Sequence, residues 1–266
     1  MSCGGSLVAR IYTLVNQKGG VGKTTTAINI GAYMSHFGLR VLVVDLDPQA
    51  NATSCLGVDK NTVKGGTYES LLGSAAAPFI LLNERLKLAL LPSSPALAGA
   101  EVELVEELAR ELRLKKALEP LVSRYDYILV DCPPSLGLLT INGLVAAQDG
   151  VLVPVQCEYL ALEGLGQLTQ TVQRVRSALF PNLKVRGVVL TMFDPRTNLS
   201  NDVVKEVNRH FPGQVFKAII PRSVRLAEAP SYGLPILAYA PTSNGALAYE
   251  AVTRELLKGD GVKISS

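Results

Sequence analysis

Asn16-Gln17-Lys18-Gly19-Gly20-Val21-Gly22-Lys23-Thr24-Thr25-Thr26 is the stretch that decides the fold. Gly22-Lys23-Thr24 ends a phosphate-binding loop, in which backbone N–H groups cradle phosphates, Lys23 reaches the outer ones and the Thr24 hydroxyl suits Mg²⁺. The strict pattern places a glycine five residues before Gly22, where this chain has Gln17. It also adds a second lysine, Lys18, ahead of Gly19-Gly20. One lysine suffices to read a bound triphosphate, so the second predicts a cation for a nucleotide held elsewhere, in a facing subunit. Nucleotide-dependent dimerisation is the expectation that follows.

The flanks agree with the loop. Leu7 to Val15 is mostly apolar and β-branched, as a buried parallel strand should be. Residues 22–37 carry Ala27, Ile28, Ile30, Ala32, Tyr33 and Phe37 at near-helical spacing, and Gly38 stands where a helix would stop. Strand, glycine-rich loop and helix put phosphates at a helix N-terminus.

Further strand-like runs follow at Arg40–Asp45, Leu86–Leu91, Tyr127–Val130, Val151–Val155, Val185–Thr191 and Val215–Ile220. Helices are expected over 95–119, 138–147, 161–180, 200–211 and 244–258. The 95–119 stretch is rich in Glu, Leu, Ala and Arg, all good helix formers, and its charges read as a solvated face. Strands alternating with helices predict an α/β fold: a mainly parallel twisted sheet with helices on both faces. Ligands bind such sheets beyond the carboxyl ends of the strands, where the loop, Asp47 and Asp131 all fall.

Composition bounds the rest. With 266 residues and no linker-like stretch or internal repeat, one domain over 10–258 is expected, with tails at 1–9 and 259–266. A formal charge of +3 does not by itself argue nucleic-acid binding, so any basic surface must be local. The four cysteines, Cys3, Cys55, Cys132 and Cys157, form no C-x-x-C pair, which favours reduced cytosolic thiols over a zinc site or disulfide framework. Only two histidines occur, His36 and His210, both near expected helix ends, so histidine chemistry is not anticipated. No run reaches the ~18 apolar residues of a membrane span.

Two acidic motifs complete the chemistry. Asp45-Leu46-Asp47-Pro48-Gln49 follows the second strand. Asp45 and Asp47 alternate and point the same way if the strand persists, and Pro48 ends regular pairing. An acid here can position attacking water or hold Mg²⁺ through water. Asp131 closes four apolar residues, an arrangement that holds Mg²⁺ or its water shell. Thr24, Asp47 and Asp131 are therefore the candidate metal residues, and Lys18, Lys23 and Asp47 the candidate catalytic ones.

Lys18-Gly-Gly-Val-Gly-Lys-Thr24-Thr25, Val43-Val-Asp-Leu-Asp-Pro-Gln49 and Tyr127-Ile-Leu-Val-Asp-Cys-Pro-Pro-Ser135 together resemble the deviant Walker A branch of P-loop NTPases, and within it the ParA/Soj partitioning family. The resemblance runs from about Arg10 to Leu257. It continues through Leu190-Thr-Met-Phe-Asp-Pro-Arg-Thr-Asn-Leu199 and Ile220-Pro-Arg-Ser-Val-Arg-Leu-Ala-Glu-Ala-Pro-Ser231, and Gln17 fits that family's form. It implies ATP and Mg²⁺ bound through Lys18, Gly19, Gly20, Val21, Gly22, Lys23, Thr24 and Thr25, with Met192, Pro221 and Arg222 in the adenine-contacting region. It implies a homodimer formed on ATP through Lys18 and Gly19, hydrolysis through Asp47, non-specific binding to double-stranded DNA and a ParB-like centromere-binding partner. The setting would be cytoplasmic, on the nucleoid, without a membrane role. Arg196 resembles the family's DNA-contacting arginine. Arg222 and Arg225 lie in the same late loops, and Lys205 and Arg209 on the helix between them. Spacing alone leaves open whether these five share a face.

Three other readings share parts of this pattern. A MinD-like membrane switch would need a C-terminal amphipathic helix, whereas Gly259 and Gly261 break one here. An iron–sulfur reductase of the nitrogenase iron-protein type would need two suitable cysteines, and only Cys132 lies in a strand-end loop. Asp47 and Asp131 argue against a protein that binds ATP without hydrolysing it.

Overall fold

The computed structural model describes residues 8–158 and 161–264. Among the described residues seven strands form one sheet: β1 Arg10–Leu14, β2 Val41–Asp45, β3 Leu81–Asn83, β4 Leu88–Leu91, β5 Tyr127–Asp131, β6 Gly150–Gln156 and β7 Val185–Thr191. Their order is β3-β4-β2-β5-β1-β6-β7, and every pairing is parallel except the short edge pair β3–β4. The mainly parallel α/β sheet covered on both faces is thus the architecture found.

The strand period of two divides the core. Tyr12 and Leu14 turn to one face, where they pack with Ile30 and Tyr33 of helix Lys23–His36 and Tyr249 and Val252 of helix Asn244–Gly259. Ile11, Leu42 and Val44 turn to the other, against Leu97, Leu118 and Leu139. Helix Lys23–His36 approaches the sheet closely at Gly31, where a Cβ would lie 3.1 Å from Val43.

Register then sets up the site. Leu14 of β1 lies opposite Asp131 of β5, and Asp131 lies opposite Asp45 of β2. Three carboxyl-terminal strand ends are therefore side by side in the order β2-β5-β1, and the glycine-rich loop leaves from β1, next to Asp131.

Two expected elements differ. The 95–119 helix is broken into Leu97–Glu103 and Arg113–Leu118, with short 3₁₀ turns and Ala109 at φ 54° between them. Buried Asn142 explains the break: its Nδ2 donates to Arg110 O (2.9 Å) and its Oδ1 accepts from Leu114 N (3.0 Å), replacing helical bonds. Packing here overrides helix propensity. The seventh strand expected at 215–220 is reduced to isolated bridges, Val188 with Val215 and Phe193 with Pro221. The N–H groups of Lys217 (2.9 Å) and Ala218 (3.3 Å) donate to the Glu255 carboxylate instead of to β7, which interrupts the ladder. The short antiparallel β3 was not expected.

Two described residues within the expected tails at 1–9 and 259–266, Ala9 and Asp260, are held in the fold. Residues 1–7 and 265–266 lie outside the described residues, but Ala9 is buried and its N–H donates to Val122 O. The last helix runs to Gly259, and Asp260 is sealed in the protein: its carboxylate accepts from Tyr12 Oη (2.8 Å), Tyr127 Oη (3.0 Å) and Arg186 Nη2 (2.9 Å).

Candidate functional site

Loop 16–25 wraps a cavity of about 300 Å³ lined by Gly19, Gly20, Gly22, Lys23, Thr24, Thr25, Asp47, Asn51, Cys55, Pro134 and Met192. Gly20 (φ 73°) and Gly22 (φ 88°) adopt left-handed conformations that disfavour side chains. Helix Lys23–His36 starts at Gly22 with no side-chain cap and no acid in its first turn. Its first N–H groups are therefore left for an external anion. Thr191 fixes the loop from β7, its Oγ1 donating to Val21 O at 2.8 Å.

Lys23 is buried, and its Nζ donates to Lys18 O at 3.2 Å. Burial lowers its ammonium below the ordinary value, against an upward pull from Asp131, Cys132 and Asp47. Lys18 behaves differently. Its N–H donates to Asn16 Oδ1 at 3.0 Å, but its side chain leaves the cavity and reaches within 3.9 Å of Glu158.

The carboxylates fill separate roles by environment. Asp47 is buried at the cavity, with Oδ1 accepting from Gln49 N at 2.8 Å and Ser93 Oγ donating to its carbonyl at 2.8 Å. Asp45 is saturated instead: its Oδ2 accepts from Thr53 N (2.8 Å) and Thr53 Oγ1 (2.7 Å). That makes Asp45 a scaffold for the loop that presents Asp47. Asp131 is fully buried, and among the described residues neither oxygen accepts a hydrogen bond of ordinary geometry. Burial first, then the Asp45 charge, pushes its carboxyl well up, with a smaller downward pull from nearby Thr24 and Lys23. An unpaired buried carboxylate is costly, and this one lies beside a lysine and a threonine hydroxyl. Those features fit a divalent cation.

A family model described as an AAA domain matches residues 9–185. The chromosome partitioning protein ParA of Myxococcus xanthus is 52% identical over 98% of this chain and 92% of its own. The sporulation initiation inhibitor protein Soj of Bacillus subtilis is 51% identical over 94% of this chain and 98% of its own. The chain belongs to the ParA/Soj family of chromosome-partitioning ATPases. Among solved structures, the cobyrinic acid a,c-diamide synthase of Mycobacterium smegmatis with bound ATP analogue and magnesium superposes with a TM-score of 0.84. The two are 39% identical, over 97% of this chain and 99% of that one.

Of the residues that the ParA/Soj resemblance pointed to, the fold gathers Gly19, Gly20, Gly22, Lys23, Thr24, Thr25, Asp47 and Met192 around the cavity. Met192 has φ 53°, a strained backbone at its wall. Pro221 and Arg222 do not line the cavity; they adjoin its rim, with Pro221 bridged to Phe193 and Arg222 N donating to Phe193 O at 2.9 Å. Asn51, Cys55 and Pro134 line the cavity without having been singled out. Asn51 and Cys55 start and end a five-residue helix beyond Asp47 that no periodic pattern marked. Cys132 is buried against Gly143, whose Cβ would meet its Sγ at 2.5 Å, so it presents no thiol to a facing subunit.

All five basic residues of the late loops and helix are exposed, and each is paired with an acid of its own chain. The pairs are Arg196–Asp194 (2.7 Å), Lys205–Asp202 (3.2 Å), Arg209–Glu206 (4.0 Å), Arg222–Glu158 (3.0 Å) and Arg225–Glu228 (3.0 Å). Lys205 and Arg209, four apart on helix Asn198–His210, share a face. The two late loops are joined by backbone bonds, Phe193 N donating to Ile220 O (3.0 Å) and Arg222 N to Phe193 O.

The buried acids make a pH prediction. Burial pushes Asp45 up to about 6, against opposing bonds from Thr53 and Asp47. A carboxyl raised on folding takes up a proton as the chain folds. Stability is therefore favoured at low pH and falls as pH rises from the ordinary carboxylate range through about 6. Metal-free, nucleotide-free protein should melt higher near pH 5 than near pH 7.5, and Asp45→Asn should flatten that dependence. An unchanged slope in the variant would assign the effect to other groups.

Proposed function

We propose that the chain is an ATP- and magnesium-dependent dimerising switch. It binds double-stranded DNA without sequence preference, hydrolyses ATP, and moves a chromosome or plasmid with a ParB-like partner. One observation carries this reading: an uncapped helix N-terminus and a buried lysine lie beside a buried carboxylate with no partner, while a second lysine leaves the same loop. The relatives' names support partitioning, and the solved structure's magnesium and ATP analogue support the ligands.

The loop N–H groups and Lys23 hold the phosphates, whose charge favours the cationic form of Lys23. Asp131, the Thr24 hydroxyl and Asp47 hold magnesium, directly or through water. Magnesium at that place supplies charge neutralisation to the outer phosphates. Asp47 orients water for attack. Lys18 reaches the nucleotide of a facing subunit and stabilises the charge that develops there. Met192 bounds the adenine end, with Pro221 and Arg222 at its rim. The nucleotide thus joins two subunits, and its hydrolysis releases them.

The dimer doubles the basic surface of Arg196, Lys205, Arg209, Arg222 and Arg225, which couples ATP to DNA affinity without a DNA contact near the nucleotide. Their acidic partners do not block this use. Exposed ion pairs are worth about 0–1 kcal/mol each, and DNA phosphates can replace them. Such binding is to the backbone and salt-dependent, and it places the protein on the nucleoid in the cytoplasm.

Co-sedimentation with DNA under ATP, ADP or no nucleotide tests the reading, with anionic liposomes as a parallel ligand. The expected result is ATP-dependent binding that falls steeply with salt and drops at least ~5-fold in Arg196→Ala, in line with the loss of a charge-assisted phosphate bond. Binding to liposomes alone would replace the reading with a membrane switch. Among the described residues no helix is long and apolar enough to cross a membrane, and Val262 and Ile264 pack on the core.

A further inference from the structure

Glu158 receives two cations from distant parts of the chain. Arg222 Nη2 donates to its Oε1 at 3.0 Å, and Lys18 Nζ stands 3.9 Å from its Oε2. The backbone of all three residues is fixed at the carboxyl end of the sheet. Lys18 N donates to Asn16 Oδ1, and Asn16 Nδ2 donates to Pro154 O at 2.7 Å. Cys157 N donates to Thr191 O at 2.9 Å, and Arg222 N to Phe193 O. Lys18 is therefore split in function. Its carbonyl accepts from Lys23 and belongs to the phosphate cradle, while its ammonium is turned outward to Glu158.

We infer that Glu158 is a latch: in a lone subunit its carboxylate holds the Lys18 ammonium, and the phosphates of a nucleotide on a second subunit draw Lys18 away. The inference rests on the ATP-dependent dimer proposed above. Arg222 is the positioning partner, aiming Glu158 at Lys18 in the lone subunit. The strength of the contact suits a latch. The Lys18 side chain is 29% exposed and that of Glu158 41%, so water screens the pair and it is weak. A triphosphate offers more negative charge than one carboxylate and outcompetes it. The latch then biases a free subunit against presenting Lys18 without preventing it from doing so. It also gives Glu158 a purpose that a purely local role does not, since its two partners come from the phosphate loop and a late loop.

The test uses full-length protein and two readouts. Sedimentation velocity with ATP and magnesium gives the protein concentration for half-maximal dimer in wild type, Glu158→Gln, Lys18→Ala and the double variant. Glu158→Gln should lower that concentration about 2- to 30-fold, because each dimer releases two weak exposed pairs. The gain should vanish in the Lys18→Ala background and shrink in high salt, which screens the wild-type pair. Acylation footprinting of nucleotide-free monomer is the second readout, and Lys18 should be modified several-fold faster in Glu158→Gln. It decides the matter even if Lys18→Ala forms no dimer. Glu158 as a mere structural support would instead lower the melting temperature without changing Lys18 labelling. Unchanged labelling, or a weaker dimer in Glu158→Gln, overturns the latch while leaving the dimer reading intact. A wild type that stays monomeric with ATP overturns both.

Discussion

Asp47→Ala should lower ATP turnover by about 10²-fold or more, the usual contribution of a positioned acid or base, while sparing ATP binding and ATP-dependent DNA binding. The carboxylate is buried at the wall of the cavity, with one oxygen fixed by the Gln49 N–H at 2.8 Å and its own carbonyl fixed by Ser93. The turn is held chiefly by Thr53 donating to Asp45, and the change leaves only the Gln49 N–H short of its acceptor. Lys23 and the helix N-terminus, the groups proposed to hold phosphates, are untouched by the change. The variant should therefore accumulate as a nucleotide-bound dimer on DNA. Phosphate release and DNA retention, measured together, decide the point. Wild-type turnover in Asp47→Ala would show that another group orients the water. Loss of ATP binding would show that Asp47 acts chiefly through the metal rather than through the attacking water.

The second large effect is on folding. Asp260→Ala should cost about 3–5 kcal/mol, as expected when one partner of a buried ion pair is removed. That corresponds to a fall in melting temperature on the order of 10 °C for a chain of this size. The side chain of Asp260 is 2% exposed. It gathers Tyr12 of β1, Tyr127 of β5 and Arg186 of β7 at the end of the sheet opposite the phosphate loop, and its carbonyl accepts from Arg10 Nη2 at 3.0 Å. Burial, with the Asp260 charge next, raises both phenols, so they remain hydrogen-bond donors at any physiological pH. Truncation takes the acceptor from two phenols and leaves the half-buried Arg186 guanidinium with the Leu256 carbonyl (3.2 Å) in place of a carboxylate. Urea unfolding at pH 7 measures the loss. A loss below about 1 kcal/mol would mean that water enters and solvates Arg186, as for an exposed pair.

These two residues show how differently function and stability are written in the chain. Asp47 was legible because a carboxylate two residues past an apolar strand, with proline after it, carries meaning near a phosphate loop. Asp260 was not. It follows Gly259 and precedes Gly261, a pattern that reads as the end of order, and its partners lie about 75 to 250 residues away in sequence. Likewise the long helix expected at 95–119 had every local preference in its favour. Asn142 broke it by offering its own amide to Arg110 and Leu114. Glu255 did the same to the expected strand at 215–220. In each case a buried or half-buried side chain from a remote element took a backbone group that local structure would have used.

The sequence by itself determined the α/β order, the glycine-rich loop, its two lysines and the acids at two strand ends. Backbone preference, hydrophobic period and the chemistry of phosphate binding are local and repeat in recognisable spacing. Only the tertiary structure decided that Asp131 is left without a partner, that Asp45 is a support, that every basic residue considered for DNA is already paired, and that Lys18 turns to Glu158. Those facts depend on which charges meet across the sheet edge and on how much water reaches them. Burial and long-range contact fix both, and neither has a spacing that can be read along the chain.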